Sequence, residues 1–244
     1  MMPWQTLIYA PLIGYGDLVA PRGQPTKEII NWSFSFQNDQ RFIYHKLMPM
    51  NLEYFAIELA WYVKADRKDI SITKHAGIWK EMLNLDGTLS SNYGYLLWGY
   101  EKAPLKWVVA ELKHDPDSRR AIAHINRPRH FRPGIRDIPC TMYFQFFLRK
   151  NKLQTIVHMR SQDAVFGLRN DLPFFWFVAD VVAALLNKKT NALHLTVGSF
   201  HVYERHWEKV KAVVEHPDDW QIPTIDWSKE VAQVVYKLSS RSKG

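Results

Sequence analysis

Met159-Arg160-Ser161-Gln162-Asp163, followed closely by Phe166-Gly167-Leu168-Arg169-Asn170-Asp171, is the stretch on which the reading of this chain turns. It joins an alternating segment, Leu153 to Arg160, to a run from Phe174 to Leu186 that is apolar on every side. Alternation marks a half-buried strand, and an all-round apolar run predicts a buried helix. Two guanidiniums, a hydroxyl and two carboxylates therefore sit in the passage from strand to helix. Upstream, Ile138-Pro139-Cys140 holds the only cysteine and opens a second alternating segment, Thr141 to Arg149. Arg149-Lys150-Asn151-Lys152 reads as the turn between the two strands. A lone thiol, an arginine-serine pair and an out-of-place aspartate suggest a cysteine nucleophile, a phosphorylated substrate and a polar edge read by Asp171.

Working outward, Ile30, Trp32, Phe34 and Phe36 alternate with polar or small residues and predict a strand, as does Ala192 to Ser199. Asn51 can cap a helix running to about Val63, with Glu53 in its first turn. Leu105, Val108, Val109 and Leu112 recur at helical spacing, with Pro116 just beyond the end, and Tyr203 to Val214 predicts an amphipathic helix. No internal repeat, low-complexity stretch or Gly/Ser linker divides residues 1–244, so one domain is expected. Strands and helices mix without a regular βαβ alternation, which favours an α+β fold built on a mixed sheet.

The 244 residues, 47% hydrophobic and 23% charged, suit a folded globular protein. One cysteine excludes an intrachain disulfide framework and any multi-cysteine zinc site, and a reducing cytoplasmic setting is the natural expectation. Met1 to Leu18 lacks a basic n-region and a small-residue cleavage site, and no apolar run reaches membrane-spanning length, so neither signal peptide nor membrane is expected. The net charge of +8 suits nucleic acid, an anionic surface or phosphorylated small molecules. Basic residues are dispersed apart from Arg119-Arg120, the Arg127 to Arg136 stretch and the Arg-Ser-Lys tail, which weighs against a nucleic-acid stripe. The histidines show no metal-ligand spacing and no glycine-rich phosphate loop is present.

Each candidate has a bland reading beside the sharp one. A single cysteine is usually an inert packing residue, but arginines near Cys140 would favour the reactive thiolate. Glu58 lies on the helical stripe of Phe55, Leu59 and Tyr62. Spacing alone favours a carboxylate at the stripe's edge, whereas burial would raise its pKa and fit it for proton transfer. In Asp115-Pro116-Asp117-Ser118-Arg119-Arg120 the two arginines lead towards a strand and point to opposite faces, either as surface charge or as a forked phosphate clamp to which Arg160 and Ser161 add. His201 and Tyr203 share one side of an extended segment and can hydrogen-bond a sugar hydroxyl or simply each other's surroundings.

Taken together these segments resemble the thymidylate synthases. Ser91-Asn92-Tyr93-Gly94, Asp115 to Arg120, Pro139-Cys140, Arg160-Ser161-Gln162-Asp163 with Gly167, and Gly198-Ser199-Phe200-His201-Val202-Tyr203 occur in the family's order, and Ile57 to Trp61 with Ile78-Trp79 extend the match. Where that family carries a proline-phenylalanine-asparagine motif, this chain has Arg169-Asn170-Asp171. The substitution is similar to the deoxycytidylate hydroxymethylase branch, best known from bacteriophages. Thr141 stands in place of the histidine after the cysteine, the Ser-Ser-Arg-Ser-Lys-Gly end differs from the family's apolar tail, and Arg22 fits the N-terminal phosphate-loop arginine loosely.

The resemblance implies a thymidylate synthase-like fold, a large mixed β-sheet packed with helices, in a sheet-to-sheet homodimer. It implies catalysis by Cys140, Glu58, Tyr93 and Asp171. A pyrimidine deoxynucleoside monophosphate would be held by Arg22, Arg119, Arg120, Arg160, Ser161, Asp171, His201 and Tyr203, with the paired arginines shared across the dimer. The co-substrate 5,10-methylenetetrahydrofolate would meet Trp79, Asp163 and Gly167, with no metal. The implied reaction is dCMP hydroxymethylation in the cytoplasm, that of the host for a phage enzyme. Methylation of dCMP and hydroxymethylation of dUMP or CMP are its neighbours, and a basic nucleic-acid-binding module or a catalytically dead relative belongs to another class.

Overall fold

The computed structural model describes residues 3–100 and 102–240; the end of the basic tail lies outside them. A six-stranded sheet runs in the order β1-β2-β7-β6-β5-β4, with β1 Asp17–Val19, β2 Thr26–Gln37, β4 Ile122–His124, β5 Thr141–Arg149, β6 Lys152–Asp163 and β7 Lys189–Tyr203. β3 (Tyr44–His45) and β8 (Trp220–Gln221) form a separate pair. Every neighbour in the large sheet is antiparallel except β6 and β7, which are parallel and joined by the long helix α6, Gly167–Leu186. Parallel strands need such a crossover. The sheet is therefore mixed, as expected.

Around it lie α1 (Trp4–Tyr15), α2 (Leu52–Lys64), α3 (Gly77–Glu81), α4 (Tyr93–Trp98), α5 (Pro104–His114), α7 (Trp207–Glu215) and α8 (Ser228–Ser240). The Asn51 side chain accepts from the Tyr54 amide, the N-cap bond anticipated for α2, a contact worth about 1 kcal/mol. Lys150 and Asn151 both take left-handed backbone, φ 50° and 60°, which gives the β5–β6 hairpin its tight two-residue turn. α4 lies against α2 so closely that a Cβ at Gly94 would stand 1.7 Å from the Tyr62 carbonyl oxygen. No side chain fits there, and this contact sets Tyr93 against α2.

Several boundaries differ from the sequence expectation. β6 runs three residues past Arg160, so Ser161, Gln162 and Asp163 belong to the strand. α6 begins at Gly167 and includes Arg169 and Asp171. β7 extends through His201 to Tyr203, and the helix placed from Tyr203 starts only at Trp207 after a short 3₁₀ turn, Glu204–His206. In β2, Asn31 adopts φ 56° opposite Gly198, and Ile30 before it is 64% exposed although Trp32 and Phe36 are buried. Arg119 and Arg120 stand in a bend before β4 and do not alternate across a strand.

One face of the sheet is sealed by α6, whose Leu172, Phe175, Val178 and Val182 are fully buried. The opposite face is only partly covered and carries Ser33, Ser35, Tyr143, Gln145, His158 and His194. There the Ser35 hydroxyl meets His194 Nδ1 at 2.8 Å, and the Tyr143 and His158 rings stack at 4.2 Å. No helix of the described residues is long and apolar enough to cross a membrane.

Candidate active site

The adjacent ends of β5, β6 and β7, with α2, α4 and the start of α6, bring most of the singled-out residues together. Cys140 immediately precedes β5. The Arg160 guanidinium on β6 reaches it, donating from Nη2 to Cys140 Sγ at 3.4 Å and to the Ile138 carbonyl at 2.8 Å, while its Nε donates to the Pro139 carbonyl at 3.3 Å. The backbone adds a bond from the Arg160 amide to the Cys140 carbonyl, 2.9 Å. One arginine thus fixes the loop that presents the thiol. Close passage of β6 and β7 here depends on Gly198, where a Cβ would come within 2.8 Å of the Arg160 carbonyl oxygen.

The expected effect of arginine on the thiol is present but outweighed. Burial pushes the Cys140 pKa above its ordinary value, Arg160 and Arg22 pull it down, and the carboxylates of Asp171 and Asp137 push it up again. Burial thus outweighs the arginines and favours the protonated thiol. Arg22, in a left-handed backbone conformation with φ 55°, is close enough for its charge to act on the sulfur.

Two carboxyls form the other wall. Glu58 is 7% exposed, so the edge position favoured by spacing gives way to the cleft. Its Oε1 accepts the Tyr54 hydroxyl at 2.9 Å, and that hydroxyl oxygen accepts Trp79 Nε1 at 2.8 Å. Burial first, and then the charge of Asp171, raise Glu58 to about 8, although the Tyr54 bond opposes them. Asp171, in the first turns of α6, is raised to about 7 by burial and by Asp163, against a bond from Gln162 Nε2 to its Oδ2 at 3.0 Å. Asp171 also pushes up the pKa values of Tyr54, Tyr62 and Tyr93. Tyr93 accepts the Thr141 amide at 3.4 Å, one residue from the thiol. Two carboxyls, a thiol and three phenols thus stand close enough for their charges to act on one another, and of these the two carboxyls are brought towards neutral pH.

At the β6–β7 edge Ser161 pairs with Ser199 and Asp163 with His201. The Ser161 hydroxyl lies 3.5 Å from His201 Nδ1, and the His201 and Tyr203 rings meet edge to face at 5.2 Å. Asp163 spends its carboxylate on the start of α6, accepting the amides of Val165, Phe166 and Gly167 at 3.2, 2.8 and 3.3 Å. A negative charge at that helix terminus is favourable. Arg119 and Arg120 are not brought to the thiol. The Arg119 carbonyl accepts the Gln145 side chain and the Ala121 carbonyl accepts the Phe146 amide, six residues along β5 from Cys140, or roughly 20 Å of strand. Arg120 instead pairs with Glu111 at 2.9 Å while its side chain stays 72% exposed.

Tyr54, Gln162 and Arg169 were not anticipated. Tyr54 had a signal in its one-turn spacing from Glu58. Arg169 is buried and donates to the carbonyls of Val165, Met48 and Pro49, tying α6 to the loop before α2. Nothing in its sequence position revealed that.

A thiol held by a guanidinium, two carboxyls raised towards neutral pH and a mixed sheet that joins them fit a C5 one-carbon transferase of thymidylate synthase type. The chain belongs to the thymidylate synthase family, whose model it matches over residues 15–241. It is similar to the deoxycytidylate 5-hydroxymethyltransferases of Enterobacteria phages T4, T2 and T6, each 36% identical over 204 residues that cover 78% of this chain and 80% of theirs. The family generally uses methylenetetrahydrofolate as co-substrate.

Proposed function

We propose that this protein converts dCMP to 5-hydroxymethyl-dCMP. The observation that carries the reading is the Asp171 carboxyl, buried in the cleft with Cys140 and Glu58, where the thymidylate synthases place an asparagine. Burial raises the Asp171 carboxyl to about 7, so it can carry a proton near neutral pH. As an acid it can donate to N3 of cytosine and accept from the 4-amino group. When Cys140 gives up its proton to solvent and the thiolate adds to C6, the C5–C6 electron pair moves to C4–C5, the C4–N3 pair moves onto N3, and N3 takes the proton from Asp171. C5 is thereby made nucleophilic without building a full anion on the ring.

5,10-Methylenetetrahydrofolate would supply the one-carbon unit and leave as tetrahydrofolate once the C5 proton is removed. Trp79, held by Tyr54, offers it an aromatic surface, and Asp163 and Gly167 at the start of α6 are its other assigned contacts. Glu58, raised to about 8, takes the C5 proton and then orients the water that adds to the exocyclic methylene, with Tyr93 beside it. Loss of the thiolate from C6, with the N3 proton returned to Asp171, restores the aromatic ring. Arg160, Ser161 and Arg22 bind the 5′-phosphate, and His201 and Tyr203 the sugar hydroxyl. We read residues 1–244 as one catalytic domain.

Arg119 and Arg120 complete the phosphate site from a second copy, since their own chain keeps them a strand's length from Cys140. The partly covered sheet face supports a sheet-to-sheet dimer. Sedimentation as a monomer at assay concentration would contradict this sharing. For the reaction itself, dCMP tritiated at C5 should lose its label to water when incubated with the protein and 5,10-methylenetetrahydrofolate. Retention of the tritium alongside loss from dUMP would overturn the proposal.

A further inference from the structure

We propose that Gln162 is a positioning residue that decides which oxygen of Asp171 carries the proton, and thereby makes the site selective for cytosine over uracil. This rests on the reading of Asp171 as the group that meets the base edge. A free carboxylic acid is as ambiguous as an amide. With its proton on one oxygen it presents donor then acceptor, which suits cytosine's N3 and 4-amino group. With the proton on the other oxygen the order reverses and suits uracil's N3–H and O4. Replacing asparagine by aspartate is therefore not sufficient by itself to exclude uracil.

Gln162 removes the ambiguity. It lies near the end of β6, 2% exposed, and its Nε2 donates to Asp171 Oδ2 at 3.0 Å. It is the one side-chain hydrogen-bond donor to Asp171 among the described residues. A Cβ at Gly167 would come within 3.3 Å of that same Nε2, so the bare glycine leaves room for the amide where it stands. An oxygen already accepting an N–H is the acceptor of the acid, so the proton resides on Oδ1. Oδ1 then donates to N3, and the second lone pair of Oδ2 accepts from the 4-amino group.

The other groups facing Asp171 are Tyr54, Glu58 and Tyr62 from α2, Tyr93 from α4, Cys140 before β5 and Asp163 from β6. Glu58 and Asp163 repel its charge, and Gln162 is the group that favours the charged form. Loss of the amide thus has a second signature, because Asp171 then stays protonated to higher pH.

Gln162→Met, matched in length and without a donor, tests the proposal through kcat/KM for dCMP and dUMP across pH. The dUMP-to-dCMP ratio should rise by about tenfold or more, and the alkaline limb of the dCMP profile should move to higher pH. A folded variant with ratio and limb unchanged would overturn the role. Gln162→Glu keeps the side-chain size and has a donor only while its carboxyl is protonated. Should the methionine variant not fold, a selectivity that weakens as pH rises in Gln162→Glu supports the role, and a pH-independent selectivity equal to the wild type removes it. Asp171→Asn separates the two layers. Retained dCMP preference in that variant sinks the base-edge reading and this role with it, whereas a switch to dUMP with both Gln162 variants silent sinks this role alone.

Discussion

Cys140→Ser should lower kcat on dCMP by roughly 10⁴-fold or more, the scale on which loss of a covalent nucleophile is felt. A serine hydroxyl has a far higher pKa than a thiol, and nothing in the cleft would deprotonate it. The Cys140 thiol is itself held above its ordinary pKa by burial, with Arg160 at 3.4 Å as the main opposing influence. Nucleotide affinity should survive within several-fold, because the phosphate and sugar contacts assigned to Arg22, Arg160, Ser161, His201 and Tyr203 do not pass through the sulfur. The same variant examines the shared site. Mixed and re-equilibrated with Arg120→Ala, it should regain about a quarter of wild-type activity, since random pairing leaves one intact site in half of the dimers. Titrated steady-state assays read both results. A Cys140→Ser enzyme with near-normal kcat would remove the covalent mechanism, and a mixture no more active than its parts would remove the sharing.

Asp171→Asn should exchange the preferred base. An amide that donates and accepts fits uracil's O4 and N3–H, but against cytosine it leaves the transition state without the proton that N3 needs. Mismatched polar pairs in a closed site are discriminated strongly, so the ratio of kcat/KM for dCMP over dUMP should fall by on the order of a thousandfold. A second change accompanies it. The Asp171 charge is the next cause after burial of the elevation of Glu58 to about 8, so the neutral amide should let the Glu58 pKa fall. The limb of the pH profile that reports Glu58 should accordingly move to lower pH in the variant. Unchanged dCMP preference would mean that another group reads the base.

How far these assignments were legible in the sequence varies by element. Thr141 to Arg149, its hairpin and the Asn51-capped helix were plain, because alternation, turn residues and a cap each act locally. Pro11 within it hides α1, and the sequence pattern shows only the later part of α6 because Gly167 and the polar Arg169, Asn170 and Asp171 resemble a loop. These residues are held helical by Asp163 at the terminus and by Arg169 buried against distant carbonyls, contacts that local pattern does not carry. The burial of Glu58 was likewise undecidable from its stripe. It depends on residues distant in sequence, among them Asp171 of α6, which stands close enough to raise its pKa. Arg119 and Arg120 could be named as a phosphate clamp by resemblance, but their distance from Cys140 along β5 emerges only in three dimensions.

On this proposal Cys140, Glu58 and Asp171 place one formaldehyde equivalent, CH₂O, on C5 of a cytosine nucleotide. Its most direct test is a single competition. Equimolar dCMP and dUMP are incubated with the protein and 5,10-methylenetetrahydrofolate, and the nucleotide pool is weighed by mass spectrometry. The expected result is dCMP heavier by one CH₂O unit with dUMP untouched. A gain of CH₂ alone, or consumption of dUMP in preference to dCMP, would contradict the account.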